Sequence, residues 1–312
     1  MKTHKNPHGF RGFTLMELMV AMAITTIIIT ILVTITSLSM DTWNRSRTET
    51  RAARQAKTMV DTMAHDLESL VARRGNNFDW LFAKAADAIG PADAQNTNAA
   101  ELYFFTAAQD RYEGMLGDQR ADKGGDVSSV AYRLAYRNPI GANQDNDSLA
   151  TFVLYRKLVD PDDTYRRLLG REDLEQTWKT YERTIVEARN FVCENIYQFS
   201  LTFNVAVEVT TENITRTQVV PVTISNSPGS LEIREFRING IGLLAPNFGG
   251  SRNVTADQFQ AGKVISVEIS LSVLSDNGLE QMRRRKLSGD AKADFLTKNS
   301  YQYTKLVQLP RL

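Results

Sequence analysis

A chain of 312 residues with 42% hydrophobic content is long enough for one substantial core or two small ones, so globular is its default class. Lys and Arg number 37 against 36 Asp and Glu; this net charge of +1 removes any global electrostatic case for nucleic acid or an acidic surface as partner. The single Cys193 excludes an intrachain disulfide and reads as a buried, inert thiol, while three histidines, His4, His8 and His65, argue against a clustered zinc site or a Ser-His-Asp triad.

The first predicted element follows a short polar leader with a basic start at Lys2, Lys5 and Arg11. From Leu18 to Met40 no residue is charged, and at ~1.5 Å per residue this run crosses roughly 30 Å of hydrocarbon as a helix. Its β-branched residues (Ile27, Ile28, Ile29, Ile31, Val33, Ile35) lower helix propensity, but lipid obliges the backbone to satisfy its own hydrogen bonds. Thr25, Thr26, Thr30 and Thr34 can bond back to the preceding turn. A secretory signal peptide would show a shorter apolar run and a small-x-small cleavage site, and Ser37-Leu38-Ser39-Met40-Asp41 supplies none. A plain membrane anchor leaves Glu17 unexplained, because a carboxylate in a membrane segment calls for a partner.

Gly12-Phe13-Thr14-Leu15-Met16-Glu17 resembles the G-F-T-L-x-E signature of type IV prepilins and type II secretion pseudopilins. The resemblance implies cleavage between Gly12 and Phe13 by a membrane aspartyl prepilin peptidase, then N-methylation of Phe13. It also implies that the apolar segment stays attached as the filament-forming helix. Glu17 would then face a new amine one turn away, its own or a neighbouring subunit's, and such a buried pair fixes register better than it adds stability. Arg45, Arg47, Arg51, Arg54 and Lys57 outnumber the leader's basic residues, so the leader-inside orientation follows from the resemblance and not from charge counting.

Beyond Met40 an amphipathic pattern (Ala53, Ala56, Val60, Met63, Leu67, Leu70) predicts that the helix continues to about Arg74, stopped by Gly75-Asn76-Asn77. Residues 75–100 read as a loop holding a short helix around Phe78 to Ala88. Strands are expected at Leu102 to Thr106, at Val130 to Tyr136 and at Thr151 to Val159. A charged helical region follows from Asp163 to Ala188. Strict period-two runs mark Tyr197 to Val209 and Ile265 to Val273, and shorter strands are expected at Thr217 to Ile224, Leu231 to Ile238 and Tyr301 to Leu309. One-sided alternation points to an antiparallel sheet with a single buried face, folded against the helix and a second sheet.

Several motifs weigh less than they first read. Gly240-Ile241-Gly242-Leu243-Leu244-Ala245 satisfies G-x-G-x-x-A, but Pro246, Gly249 and Gly250 deny it the following helix, so it reads as a glycine-rich turn. Asp145-Asn146-Asp147-Ser148 lacks the glycine and glutamate of a calcium loop. Arg283-Arg284-Arg285-Lys286 is a solvated helix end without aromatic interleaving. Asn213-Ile214-Thr215 and Asn253-Val254-Thr255 match the glycosylation sequon, which means little in a bacterial setting.

"VAYRLAYR", "TFVLYRKLV", "ENIYQFSLTFNV", "KVISVEISLSVL" and "YTKLVQLP" resemble the bodies of J-type minor pseudopilins and W-type minor pilins, and the chain is also similar to Verru_Chthon cassette protein C. The chain departs from those bodies in its length and in long loops at 75–100, 110–126 and 141–148. The expected architecture is α+β and pilin-like. Its parts are leader 1–12, transmembrane and filament helix 13–40, amphipathic continuation 41–74 and β-rich domain 75–312. The resemblance implies no catalytic residue, metal or cofactor. The implied partners are prepilin peptidase, other pilin or pseudopilin subunits, an inner-membrane assembly platform and the bilayer, without nucleic acid. It places the chain in a bacterial inner membrane with its domain in the periplasm. The competing class is a membrane-anchored periplasmic binding protein or enzyme.

Overall fold

The structure, a computed structural model, describes residues 14–91, 95–107, 126–139, 150–211, 214–226, 229, 231–246, 248–250, 254–285 and 289–310. The chain divides into two units, Met1–Thr50 and Arg51–Leu312, and helix α1 (Leu15–Glu68) runs through the boundary. In the first unit the side chains from Leu18 to Met40 are exposed. The hydroxyls of Thr25, Thr26, Thr30 and Thr34 each donate to the carbonyl four residues back at 2.7–2.8 Å, as does Thr36. An isoleucine- and threonine-rich helix thus keeps its polar atoms to itself, which hydrocarbon requires.

In the second unit α1 buries Ala52, Ala56, Met59, Val60, Met63, Ala64 and Leu67, so the packed stripe centres on Ala52 and Met59 and leaves Ala53 only half-buried. The helix stops at Glu68, six residues before the expected end at Arg74. Residues 69–71 leave it to extend a strand: Val71 N–H donates to Phe105 O at 2.9 Å and Ala107 N–H to Ser69 O at 2.8 Å, satisfying backbone groups at that strand's end.

Seven strands form one sheet, in the order β10-β9-β1-β2-β3-β4-β5. In chain order these are β1 (Asp79–Ala85), β2 (Ala100–Thr106), β3 (Ser128–Arg137), β4 (Thr151–Val159), β5 (Phe191–Glu194), β9 (Glu235–Asn239) and β10 (Leu243–Leu244). The second sheet is ordered β12-β11-β6-β7-β8, from β6 (Ile196–Thr211), β7 (Ile214–Ile224), β8 (Glu232–Ile233), β11 (Lys263–Leu274) and β12 (Ser300–Gln308). Pairing is antiparallel except between β7 and β8.

Three of the strands differ from the pattern expected of them. The stretch expected as a loop with a short helix around 78–88 contains β1, a strand flanked by β2 and β9. Leu81 and Ala83 face one apolar cluster and Trp80 and Phe82 another, so burial on both faces erases the alternation that would have marked a strand. The expected strand from Leu231 to Ile238 breaks at Arg234 into β8 and β9, one in each sheet. A bulge between Val264 and Ser266 in β11 turns Val264 inward and leaves Ile265 39% exposed.

The main core lies among α1, the inner face of the five-stranded sheet and one face of the seven-stranded sheet, with Phe203 stacked on Phe236 at 4.3 Å. The seven-stranded sheet is buried on its other face as well. Residues 161–190 cover it, not as one helix but as short turns: α2 (Pro161–Asp163), a π turn (Thr164–Leu168), α3 (Leu174–Trp178) and α4 (Glu182–Ile185), with 3-10 turns at Lys179–Tyr181 and Ala188–Asn190. Gly170 at φ 76° interrupts the run, and Leu168, Leu174, Trp178 and Ile185 seal the cluster. Helices α5 (Ala256–Gln260), α6 (Asp276–Arg285) and α7 (Gly289–Asn299) complete an α+β, pilin-like arrangement in which a long N-terminal helix packs on antiparallel sheets.

Candidate functional site

The expected cleavage and methylation pair, Gly12 and Phe13, lies outside the described residues, as do Asp145-Asn146-Asp147-Ser148 and the sequon asparagines. At the start of α1, Glu17 makes a contact to Thr14 that reading it only as an amine partner misses. Thr14 N–H and Thr14 Oγ1 donate to Glu17 Oε2 at 2.9 and 3.0 Å, and Glu17 N–H donates to Thr14 Oγ1 at 3.2 Å. This reciprocal capping box satisfies first-turn donors, and its T-x-x-E spacing was present in the sequence. The carboxylate is therefore held at the amino end of α1, where the helix dipole also favours negative charge. Among the described residues, α1 is the one helix long and apolar enough to cross a membrane.

The second unit carries two polar assemblies. In the first, Asp66 on α1 receives a two-pronged contact from Arg156 on β4, Nε at 2.8 Å and Nη2 at 2.9 Å, and the Tyr132 hydroxyl donates to the same carboxylate at 2.6 Å. Tyr132 and Arg156 are register partners across β3 and β4, which brings both to one carboxylate. Burial raises the Tyr132 hydroxyl well above the usual tyrosine range, and the Asp66 charge adds to it. For Arg156, burial opposes the charge, but the Asp66 hydrogen bond overrides it and raises the guanidinium further.

The second assembly spans the outer face of the seven-stranded sheet and its cover. Arg237 lies 4.2 Å over the Phe82 ring and pairs with Asp79 at 2.6 Å and Asp173 at 3.2 Å. Lys84 joins Glu175 at 2.7 Å, and Arg133 joins Glu101 at 2.9 Å and Glu182 at 3.2 Å. Burial pushes the Asp79 carboxyl up although Leu174 N–H and Arg237 pull the other way. Beside this chain opens a cleft of about 950 Å³ lined by Glu101, Tyr103, Arg133 and Trp178 among others. Glu101, Glu175 and Glu182 are each already engaged by a cation, so the assembly braces α3 and α4 against the sheet.

The remaining candidates resolve simply. Cys193 is 1% exposed, with burial pushing its thiol up to about 12, which makes it inert at neutral pH. The Gly240–Gly242 segment is the β9–β10 turn: Asn239 Oδ1 accepts from Ile241 N–H at 3.0 Å and Gly242 N–H at 2.8 Å. The described residues that follow, 245, 246 and 248–250, are not helical, so no helix end faces a phosphate there. Arg284 pairs with Glu280 along α6.

Residues 8–33 match the family model described as the prokaryotic N-terminal methylation motif. No curated protein and no solved structure matches the chain. The chain thus carries the prepilin-type cleavage and methylation motif at the head of its long helix.

Proposed function

We propose that this chain is a minor pilin-like (pseudopilin) subunit that prepilin peptidase cuts between Gly12 and Phe13 and N-methylates at Phe13. It is then assembled with other pilin-type subunits, through an inner-membrane platform, at the tip of a type II secretion pseudopilus or type IV pilus. The observation that carries this reading is the methylation motif over residues 8–33, continued by a helix whose apolar side chains are exposed. On this reading residues 1–12 are leader, 13–40 the membrane and filament segment, continued by α1 as far as Glu68, and 75–312 the periplasmic body. A body of that size would crowd a repeating lattice, which favours a minor position; a uniform filament of this chain alone would overturn that point.

The test is intact mass and N-terminal analysis of membrane-extracted protein made with and without prepilin peptidase. A mature chain starting at N-methylated Phe13, lost on Gly12→Leu, is the expected result. A Met1 terminus would instead support the anchored binding protein, for which the cleft of about 950 Å³ is the favouring feature, and a cut after Ser39 would make the β-rich body a secreted module.

Glu17→Gln separates the two roles of that carboxylate. Glutamine can complete a capping box but has no charge to pair with an amine. Processing is expected to continue while filament incorporation falls by about tenfold or more, a charge-assisted contact being worth ~1.5–3 kcal/mol. Unchanged incorporation would reduce Glu17 to a helix cap.

A further inference from the structure

At the β9–β10 turn the surface holds a concavity of about 130 Å³ whose walls come from residues 72–74, the turn itself and the junction of α5 with β11. Two glycines permit this approach. A Cβ on Gly240 would lie 2.8 Å from the Arg73 carbonyl oxygen, and one on Gly242 would strike the Gln260 carbonyl. The charged residues lining it are Arg73, Arg74 and Lys263, and among the described residues no carboxylate lines it. In a chain of net charge +1 this is a local excess of positive charge, and beside it Ile241 stands 68% exposed.

We propose that this concavity receives an Asp or Glu side chain of a neighbouring protein subunit, with Ile241 against an apolar residue next to that acid. The proposal rests on the subunit reading above. At roughly 30 Å³ per water, the space suits one carboxylate and a few waters and is too small for a nucleotide. An apolar knob beside the cations fits a polypeptide, which presents acidic and apolar side chains together, better than a free phosphate. Arg73 and Lys263 are exposed, so the contact forms with little desolvation and weakens as salt rises.

The experiment is fluorescence anisotropy of a fluorescein-labelled Glu-Leu-Glu-Leu peptide titrated with the full chain in detergent. Arg73→Glu with Lys263→Glu is expected to weaken binding by about tenfold, through the loss of two surface charge pairs. Arg284→Glu with Arg285→Glu, the same charge change on α6, is expected to leave it unchanged. Equal effects of the two pairs would overturn the proposal. So would displacement of the peptide by inorganic phosphate beyond that by chloride at matched ionic strength, which would make this a phosphate site. The N-terminus of each preparation is determined in parallel. Processed protein showing no difference between the pairs sinks the concavity alone, whereas unprocessed protein with the difference intact keeps the carboxylate site and sinks the subunit reading.

Discussion

Replacing Asp66 with alanine is expected to lower the stability of the β-rich body by about 3–5 kcal/mol, among the largest effects of any single substitution here. The Asp66 side chain is 1% exposed and that of Arg156 16% exposed, so removing the carboxylate strands a guanidinium where water reaches it poorly. The Tyr132 hydroxyl loses its acceptor in the same step. Asp66→Leu combined with Arg156→Met removes both charges and is expected to recover more than half of the loss, because the penalty comes from the unpaired charge. Denaturant midpoints of the full chain in detergent, read by near-ultraviolet circular dichroism, would check this. A loss below about 1 kcal/mol for Asp66→Ala would show that the cluster contributes little.

Alkaline pH should destabilise the fold through Cys193 first and the buried tyrosines second. Burial pushes the Cys193 thiol up to about 12 from a reference of 9.0, so the unfolded chain gives up this proton first. The associated stability is complete below about pH 9 and is lost as pH rises towards 12; a gap of about three pH units amounts to about 4 kcal/mol. Tyr103 and Tyr132 are raised well above 10.0 by burial and by the carboxylates of Glu101 and Asp66, and they steepen the loss above pH 10. Unfolding free energies from pH 8 to 10.5 are expected to fall from pH 9 in the parent chain. In Cys193→Ala they are expected to hold level to about pH 10 from a lower start, the truncation itself removing packing. Identical slopes in both chains would refute the assignment to Cys193.

Much of the β-rich body was legible because period-two alternation is a local property. Thr151 to Val159 coincides with β4, and the seven alternating residues from Tyr197 to Val209 lie within β6. Burial on both faces removes the alternation: β4 stayed legible as a run of β-branched and aromatic residues, whereas β1, with two alanines and a lysine among its seven residues, read as a loop with a short helix. Where a bulge shifts the phase the signal misleads, as at Ile265. The α1 terminus was misplaced because Leu70 and Val71 continue the apolar spacing while their backbone groups pair with β2.

The site was legible to a different degree. The G-F-T-L-x-E run, the uncharged stretch to Asp41 and the back-bonding threonines follow from chain neighbours and helix period, so the sequence by itself determined the methylation motif and a membrane-length helix. The Tyr-Arg pairs of β3 and β4 were visible as words without a meaning. Only strand register set Tyr132 opposite Arg156, and only the packing of α1 brought Asp66 to both. The same holds for the Arg73-Arg74 pair and Lys263, which are distant in the chain and meet because a glycine turn lets two backbones come close. Sequence periodicity reports what each residue's own element does. Which carboxylate meets which cation was decided only by the tertiary structure, because it depends on how those elements are stacked and registered against one another.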